Sequence, residues 1–109
     1  MDKEVLQNWV ERIESRSDLF PLVMDKTLSV AFFSGEEQLF VIFTNGSCIT
    51  STSAPNQLDI MIEAKPFILK DIWQGTCRLL SVPNHLIKMN GSYKNLLWIE
   101  SLFHLARPL

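Results

Sequence analysis

The chain has 109 residues, 47% of them hydrophobic, 10% aromatic and 20% charged, which is the size of one ordinary domain and a mixture that offsets chain entropy by burial rather than staying disordered. Its formal net charge is −2, with Lys and Arg scattered along the chain, so the electrostatic footprint of a nucleic-acid binder is missing. No apolar run approaches the ~18 residues a membrane span needs, and the opening Met1-Asp2-Lys3-Glu4 leads into amphipathic sequence, so a cytoplasmic chain of one domain, 1–109, is expected.

Val5, Leu6, Trp9, Val10 and Ile13 recur at helical spacing, and Asp2 is placed to cap the first amides. This predicts an amphipathic opening helix. Pro21 lacks an amide hydrogen and biases Phe20 away from the α region, so 17–21 reads as a connector. From Thr27 the period drops to two. Leu28, Val30 and Phe32 share one face of a first strand, and Gly35-Glu36 marks the reversal into 38–44. In that second strand Leu39, Val41 and Phe43 point one way and Phe40 and Ile42 the other, so both faces need cover. Asn45-Gly46 is the dipeptide of a two-residue hairpin turn, and 47–53 continues as a more polar, more exposed strand. A fourth strand, 58–63, sets Leu58, Ile60 and Ile62 on one face.

Pro66 suits the first turn of a short helix whose apolar stripe is Phe67, Ile68, Leu69, Ile72 and Trp73, closed at Gly75. After a connector, 76–84, a fifth strand is expected over 85–90. Ser92 caps a last helix carrying Leu96, Leu97, Ile99, Leu102, Phe103 and Ala106, which Pro108 ends. The order α-β-β-β-β-α-β-α predicts an α+β fold: a five-stranded, mainly antiparallel sheet, its first four strands a meander, with helices packed on one face.

The segment 58–103 resembles the sterol-carrier-protein type 2 family. The resemblance is carried by the alternating strand Leu58-Asp59-Ile60-Met61-Ile62-Glu63, the short helix from Pro66 to Trp73 ending at Gln74-Gly75, the strand closing on Lys88-Met89-Asn90-Gly91, and a helix ending in Leu102-Phe103. Two departures stand out. Gly91-Ser92 replaces the family's common Gly-Asp, which keeps a cap but loses a charge, and the connector 76–84 is short and lacks a small glycine-containing segment.

The resemblance implies a non-catalytic apolar tunnel that takes up fatty acids, fatty acyl-CoA, phospholipids or sterols. The residues that would line it are Phe32, Phe40, Ile42, Ile60, Ile62, Ile68, Ile72, Trp73, Leu97 and Phe103, with the middle and final helices as one wall. Each of these, taken singly, is better read as core, because apolar stripes ordinarily bury against protein; the resemblance shifts the set toward a cavity. A buried methylene is worth ~0.8 kcal/mol, so a fatty chain needs no polar constellation to bind. The implied partner is a lipid, with at most transient membrane contact, for which Trp98 is a candidate; the alternative is an interaction or dimerisation module on the same fold, with an apolar patch near Trp98 and Leu105.

Catalysis and cofactors find no support in the residue pattern. Cys48 and Cys77 form no CxxC and read as reduced structural thiols, and with His85 and His104 they lack zinc-ligand spacing. Glu36-Glu37 is a solvated turn pair, and Asn45-Gly46-Ser47 and Asn90-Gly91-Ser92 are explained as turns rather than glycosylation sites.

Overall fold

A computed structural model describes residues 1–108; the last position of the expected domain, Leu109, lies outside the described residues. Four helices, α1 (Lys3–Ser15), α2 (Phe20–Val23), α3 (Pro66–Trp73) and α4 (Tyr93–Leu105), accompany five strands, β1 (Thr27–Ser34), β2 (Glu37–Thr44), β3 (Ser47–Ser51), β4 (Ile60–Ala64) and β5 (Ile87–Asn90). The α+β class, the number of strands and the order of the main elements are as expected.

The local signals behave as their chemistry requires. The Asp2 carboxylate accepts the Val5 amide at 3.2 Å and the Ser92 hydroxyl accepts the Asn95 amide at 3.1 Å, so each long helix starts on its predicted cap. Asn45 (φ 47°) and Gly46 (φ 91°) both occupy the left-handed region that a two-residue turn demands.

The expected connector at 17–21 is instead a 3₁₀ turn, Ser17–Leu19, running into α2. Phe20 is helical (φ −54°, ψ −43°) despite the following proline. Pro21 falls within the first turn of α2, where its missing amide hydrogen has no partner to lose. The Phe20 carbonyl also accepts the Met24 amide, and the Phe20 ring packs over Gly46.

The sheet order is β3-β2-β1-β4-β5, and here the meander of four strands fails. β4 does not extend the hairpins past β3; it crosses to the far side of β1 and pairs with it in parallel, Val30 opposite Ile60 and Phe32 opposite Ile62. The other three pairings are antiparallel. The physical reason lies at the two ends of the crossover. Beyond β3 the edge is occupied by α1, whose Glu14 carboxylate accepts the Cys48 amide at 2.7 Å and whose Gln7 carbonyl oxygen accepts the Thr50 hydroxyl at 2.7 Å. On the far side Asp59 exchanges two bonds with Ser29: its carboxylate accepts the Ser29 amide at 2.9 Å and its own amide donates to the Ser29 carbonyl at 3.0 Å. Asp59 therefore ends the crossover, and β4 begins at Ile60 rather than at residue 58.

One face of the sheet receives the helices. Leu28, Val30, Phe32, Leu39, Val41, Phe43, Ile60 and Ile62 join Leu6, Trp9, Val10 and Ile13 of α1, Ile68, Leu69, Ile72 and Trp73 of α3 and Leu96, Ile99, Leu102 and Phe103 of α4 in one buried cluster. The connector 76–84 contains a 3₁₀ turn, Leu79–Ser81, which lowers Leu79 into the same cluster. Strand β5 starts at Ile87, two residues later than expected, because the Leu86 amide turns back onto the Pro83 carbonyl.

Candidate functional site

The space between the sheet and the helices is the candidate site, and its centre is aromatic. Trp9 lies 4.7 Å from Phe103 by ring centroids, Phe103 6.2 Å from Phe32, and Phe32 5.2 Å from Trp73 in an edge-to-face contact, so one continuous row links α1, α4, β1 and α3. Helical spacing brings Trp9, Ile68, Ile72, Trp73 and Phe103 inward, while strand alternation does the same for Phe32, Ile60 and Ile62.

Seven of the ten residues expected to line a tunnel are thus together: Phe32, Ile60, Ile62, Ile68, Ile72, Trp73 and Phe103. The other three are elsewhere. Phe40 and Ile42 point to the face away from the helices, which cover Leu39, Val41 and Phe43 instead. Phe40 is buried there beside Phe33, at 6.3 Å, and Ile42 borders a hollow of about 190 Å³ shared with Pro55, Asn56 and Gln57 of the crossover. The crossover therefore passes that face, in place of the helical wall expected for it. Leu97 lies on the outer side of α4 and is 39% exposed, because the inward stripe runs through 96, 99, 102 and 103 and a step of ~100° per residue carries 97 off it.

Hollows open at the margins of this cluster, as beside Leu6, Leu39 and Thr50, where the volume is about 420 Å³. One of about 400 Å³ sits at the end of the sheet among Ser34, Lys65, Asn84, His85 and Lys88, and one of about 270 Å³ on the helix-free face among Phe33, Met61, Glu63 and Met89. Of the ten expected lining residues, Ile42 alone borders any of these marginal hollows among the described residues.

Two polar groups lie unpaired in the apolar cluster. The indole N–H groups of Trp9 and Trp73 are both buried and, among the described residues, neither meets an acceptor. A buried donor without a partner costs about 1–3 kcal/mol. Trp9 was absent from the expected lining although its place on the α1 stripe could have found it. Glu100 was also absent: it is the one buried carboxylate of α4, accepts the Leu80 amide at 2.9 Å and so fastens the connector over this end of the cluster. No pattern in the sequence distinguishes it from a surface glutamate.

Nucleophile chemistry has a poor setting. Burial, with Glu14 adding to it, pushes the Cys48 thiol well above its ordinary range, so it stays protonated near neutrality. Cys77 is partly exposed and donates to the Arg78 carbonyl at 3.7 Å; both cysteines are free thiols. His85 is exposed, and His104 is half-buried with Nε2 3.1 Å from Arg107 Nη1. Among the described residues no group of three or more His, Cys, Asp or Glu is placed to hold a metal ion, and no helix is long and apolar enough to cross a membrane.

No protein-family model and no curated protein sequence matches the chain. Solved structures do. A "UbiJ-SCP2 Ubiquinone synthesis protein" superposes with a TM-score of 0.78 at 9% identity, over 96% of this chain and 94% of its own. Sterol carrier protein 2 superposes with a TM-score of 0.67 at 14% identity, over 97% and 95%. The stereoselective inverting sec-alkylsulfatase Pisa1 from Pseudomonas sp. gives 0.65 at 13% identity, over 83% of this chain but only 14% of the enzyme's. At such identities the likeness is one of architecture, and on it the chain has the sterol-carrier-protein-2-like fold.

Proposed function

We propose that the chain binds and carries an apolar molecule, without catalysis, in the space between the sheet and the helices. The observation that supports this most is the pair of acceptorless indole N–H groups of Trp9 and Trp73, set in a fold shared with sterol carrier protein 2. A ligand that enters among Phe32, Trp73 and Phe103 exchanges protein contacts for its own apolar contacts. If it also carries an oxygen, it relieves the cost of an unpaired indole. Fatty acids, sterols and quinones fit this description, and plain hydrocarbons do not. Uptake requires side chains of the cluster to part, and the connector fastened by Glu100 is the natural place for the opening, since it closes one end of the cluster through Leu79.

Protein purified under native conditions, extracted and analysed by mass spectrometry, is expected to release a lipid, and the emptied protein to take up a fluorescent fatty acid that unlabelled lipid displaces. Trp73→Phe is expected to weaken an oxygen-bearing ligand by about tenfold, the equivalent of one hydrogen bond, while sparing its hydrocarbon analogue. A chain that stays empty, takes up no probe and self-associates with rising concentration in sedimentation would instead be an interaction module, and the proposal would fall.

A further inference from the structure

The tripeptide Asn-Gly-Ser occurs twice, at 45–47 and at 90–92, each time at the end of a strand. Asparagine before glycine is the pair most open to ring closure, because glycine has no Cβ to shield its amide nitrogen from the neighbouring side chain. The other asparagines precede Trp9, Gln57, His85 and Leu96, whose side chains crowd that approach. Since the two tripeptides are identical, a difference in their reactivity comes from the fold.

The fold treats them unequally. At the first copy the Gly46 amide donates to the Val23 carbonyl at 3.0 Å, the Asn45 amide to the Lys26 carbonyl at 3.0 Å, and the Thr27 hydroxyl to Asn45 Oδ1 at 3.4 Å. The attacking nitrogen and the carboxamide under attack are both engaged, and the Phe20 ring lies over Gly46. At the second copy Asn90 is the last residue of β5, an edge strand with β4 as its one neighbour. Asn90 and Gly91 are both exposed, and beyond the β4–β5 ladder no hydrogen bond among the described residues holds the Asn90 side chain or the Gly91 amide. Fraying of one pair, Asn90 with Met61, frees the side chain to turn back on Gly91.

We propose that Asn90 is the position at which this chain deamidates, and that the isoaspartyl product loosens the start of α4. The Gly91 amide nitrogen gives its proton to hydroxide and bonds to Asn90 Cγ. The Cγ–Nδ2 bond breaks, ammonia leaves with a proton taken from water, hydroxide is regenerated, and a succinimide is closed. Water then opens the ring: cleavage at Cγ yields aspartate, and cleavage at the main-chain carbonyl carbon yields isoaspartate. One water is consumed and one ammonia released, with no oxidant or reductant. Isoaspartate routes the backbone through the side chain and so adds a methylene to it. The seam with β4 is already close, since a Cβ on Gly91 would meet the Asp59 carbonyl oxygen at 2.9 Å and the Ile60 Cα at 3.4 Å. The displacement therefore falls on Ser92, whose hydroxyl caps α4 by accepting the Asn95 amide at 3.1 Å. The proposal is independent of whether the interior takes a ligand.

The full chain is aged at mildly alkaline pH, folded and in urea, and the two tryptic peptides carrying the copies are followed by mass spectrometry for conversion of amide to acid. In urea both are expected to convert at the same rate. In the folded chain Asn90 should keep close to that rate, while Asn45 slows about tenfold or more, the factor set by one hydrogen bond that must open first. Labelling by an isoaspartate methyltransferase should fall on the peptide of Asn90. The isoaspartyl fraction, separated by ion exchange, should melt about 5 °C below the fresh chain, the worth of one helix cap. Asn90→Ser, at an exposed position, should keep its melting temperature through the same ageing. Equal conversion of the two peptides in the folded chain overturns the proposal, as does a slowing of Asn90 as strong as that of Asn45. An isoaspartyl fraction that melts like the fresh chain, or an Asn90→Ser chain that loses as much on ageing, overturns the loosening of α4.

Discussion

Replacing Glu100 tests how the connector is held. Its Oε2 accepts the Leu80 amide at 2.9 Å, and its Oε1 lies 3.8 Å from Arg78 Nη2, whose side chain is 54% exposed. A hydrogen bond to a charged acceptor is worth about 1.5–3 kcal/mol, while an ion pair with so exposed a partner adds at most about 1 kcal/mol. Glu100→Ala removes both and leaves the Leu80 amide unpaired, so a loss of about 2–3 kcal/mol is expected, or roughly 10–15 °C in Tm for a chain of this length. Glu100→Gln keeps an acceptor of the same shape and should lose only about 1 kcal/mol. Urea unfolding gives the two values, and hydrogen exchange at the Leu80 amide locates the effect. If the Ala and Gln variants lose the same amount, or if Leu80 keeps its protection in Glu100→Ala, the carboxylate does not fasten the connector.

Stability should also depend on pH through Cys48. Its folded thiol is raised above the ordinary value of 9.0, so the contribution is fully present below that pH and is lost as pH rises and the unfolded thiol ionises, by up to about 1.4 kcal/mol per pH unit. Cys48→Ala should flatten this part of the profile, and an unchanged slope would show that another group is responsible. At Gly91 (φ 144°) an added Cβ would meet the Asp59 carbonyl oxygen at 2.9 Å and the Ile60 Cα at 3.4 Å, both backbone atoms, whereas at Gly35 (φ 61°) it would meet nothing within 4 Å. Gly91→Ala is therefore expected to cost about 2–3 kcal/mol in urea unfolding and Gly35→Ala about 1 kcal/mol; the reverse order would refute the packing described at the β4–β5 seam.

The features legible from the sequence are those decided by neighbouring residues. The Asp2 and Ser92 caps, the Asn45-Gly46 turn and the apolar stripe of α1 each depend on groups a few positions apart, and each forms as read; the α3 stripe forms through Ile68, Leu69, Ile72 and Trp73, while Phe67, expected in it, is 62% exposed. The place of β4 depends on groups far apart. Which edge it joins is settled by Glu14 and Gln7 closing the β3 edge from 34 and 43 residues away, and by Asp59 reaching Ser29 across 30. No local pattern encodes those meetings, so consecutive strands were expected to be neighbours.

The misplaced lining residues share one cause with the misplaced strand. A strand apolar on both faces, as β2 is from Leu39 to Phe43, does not say which face the helices take; Phe40 lies against Phe33, and Ile42 faces the crossover, whose course follows from the far edge that β4 joins. Leu97 differs, because its place follows from helical geometry alone: with 96, 99, 102 and 103 on one stripe, 97 falls outside it, beside Trp98 and in line with Ser101 and Leu105. Counting it as core concealed a face of α4 that is apolar, exposed and without a carboxylate. A buried stripe is explained by the protein's own core. An exposed one, such as Leu97 with Leu105, lies outside that core.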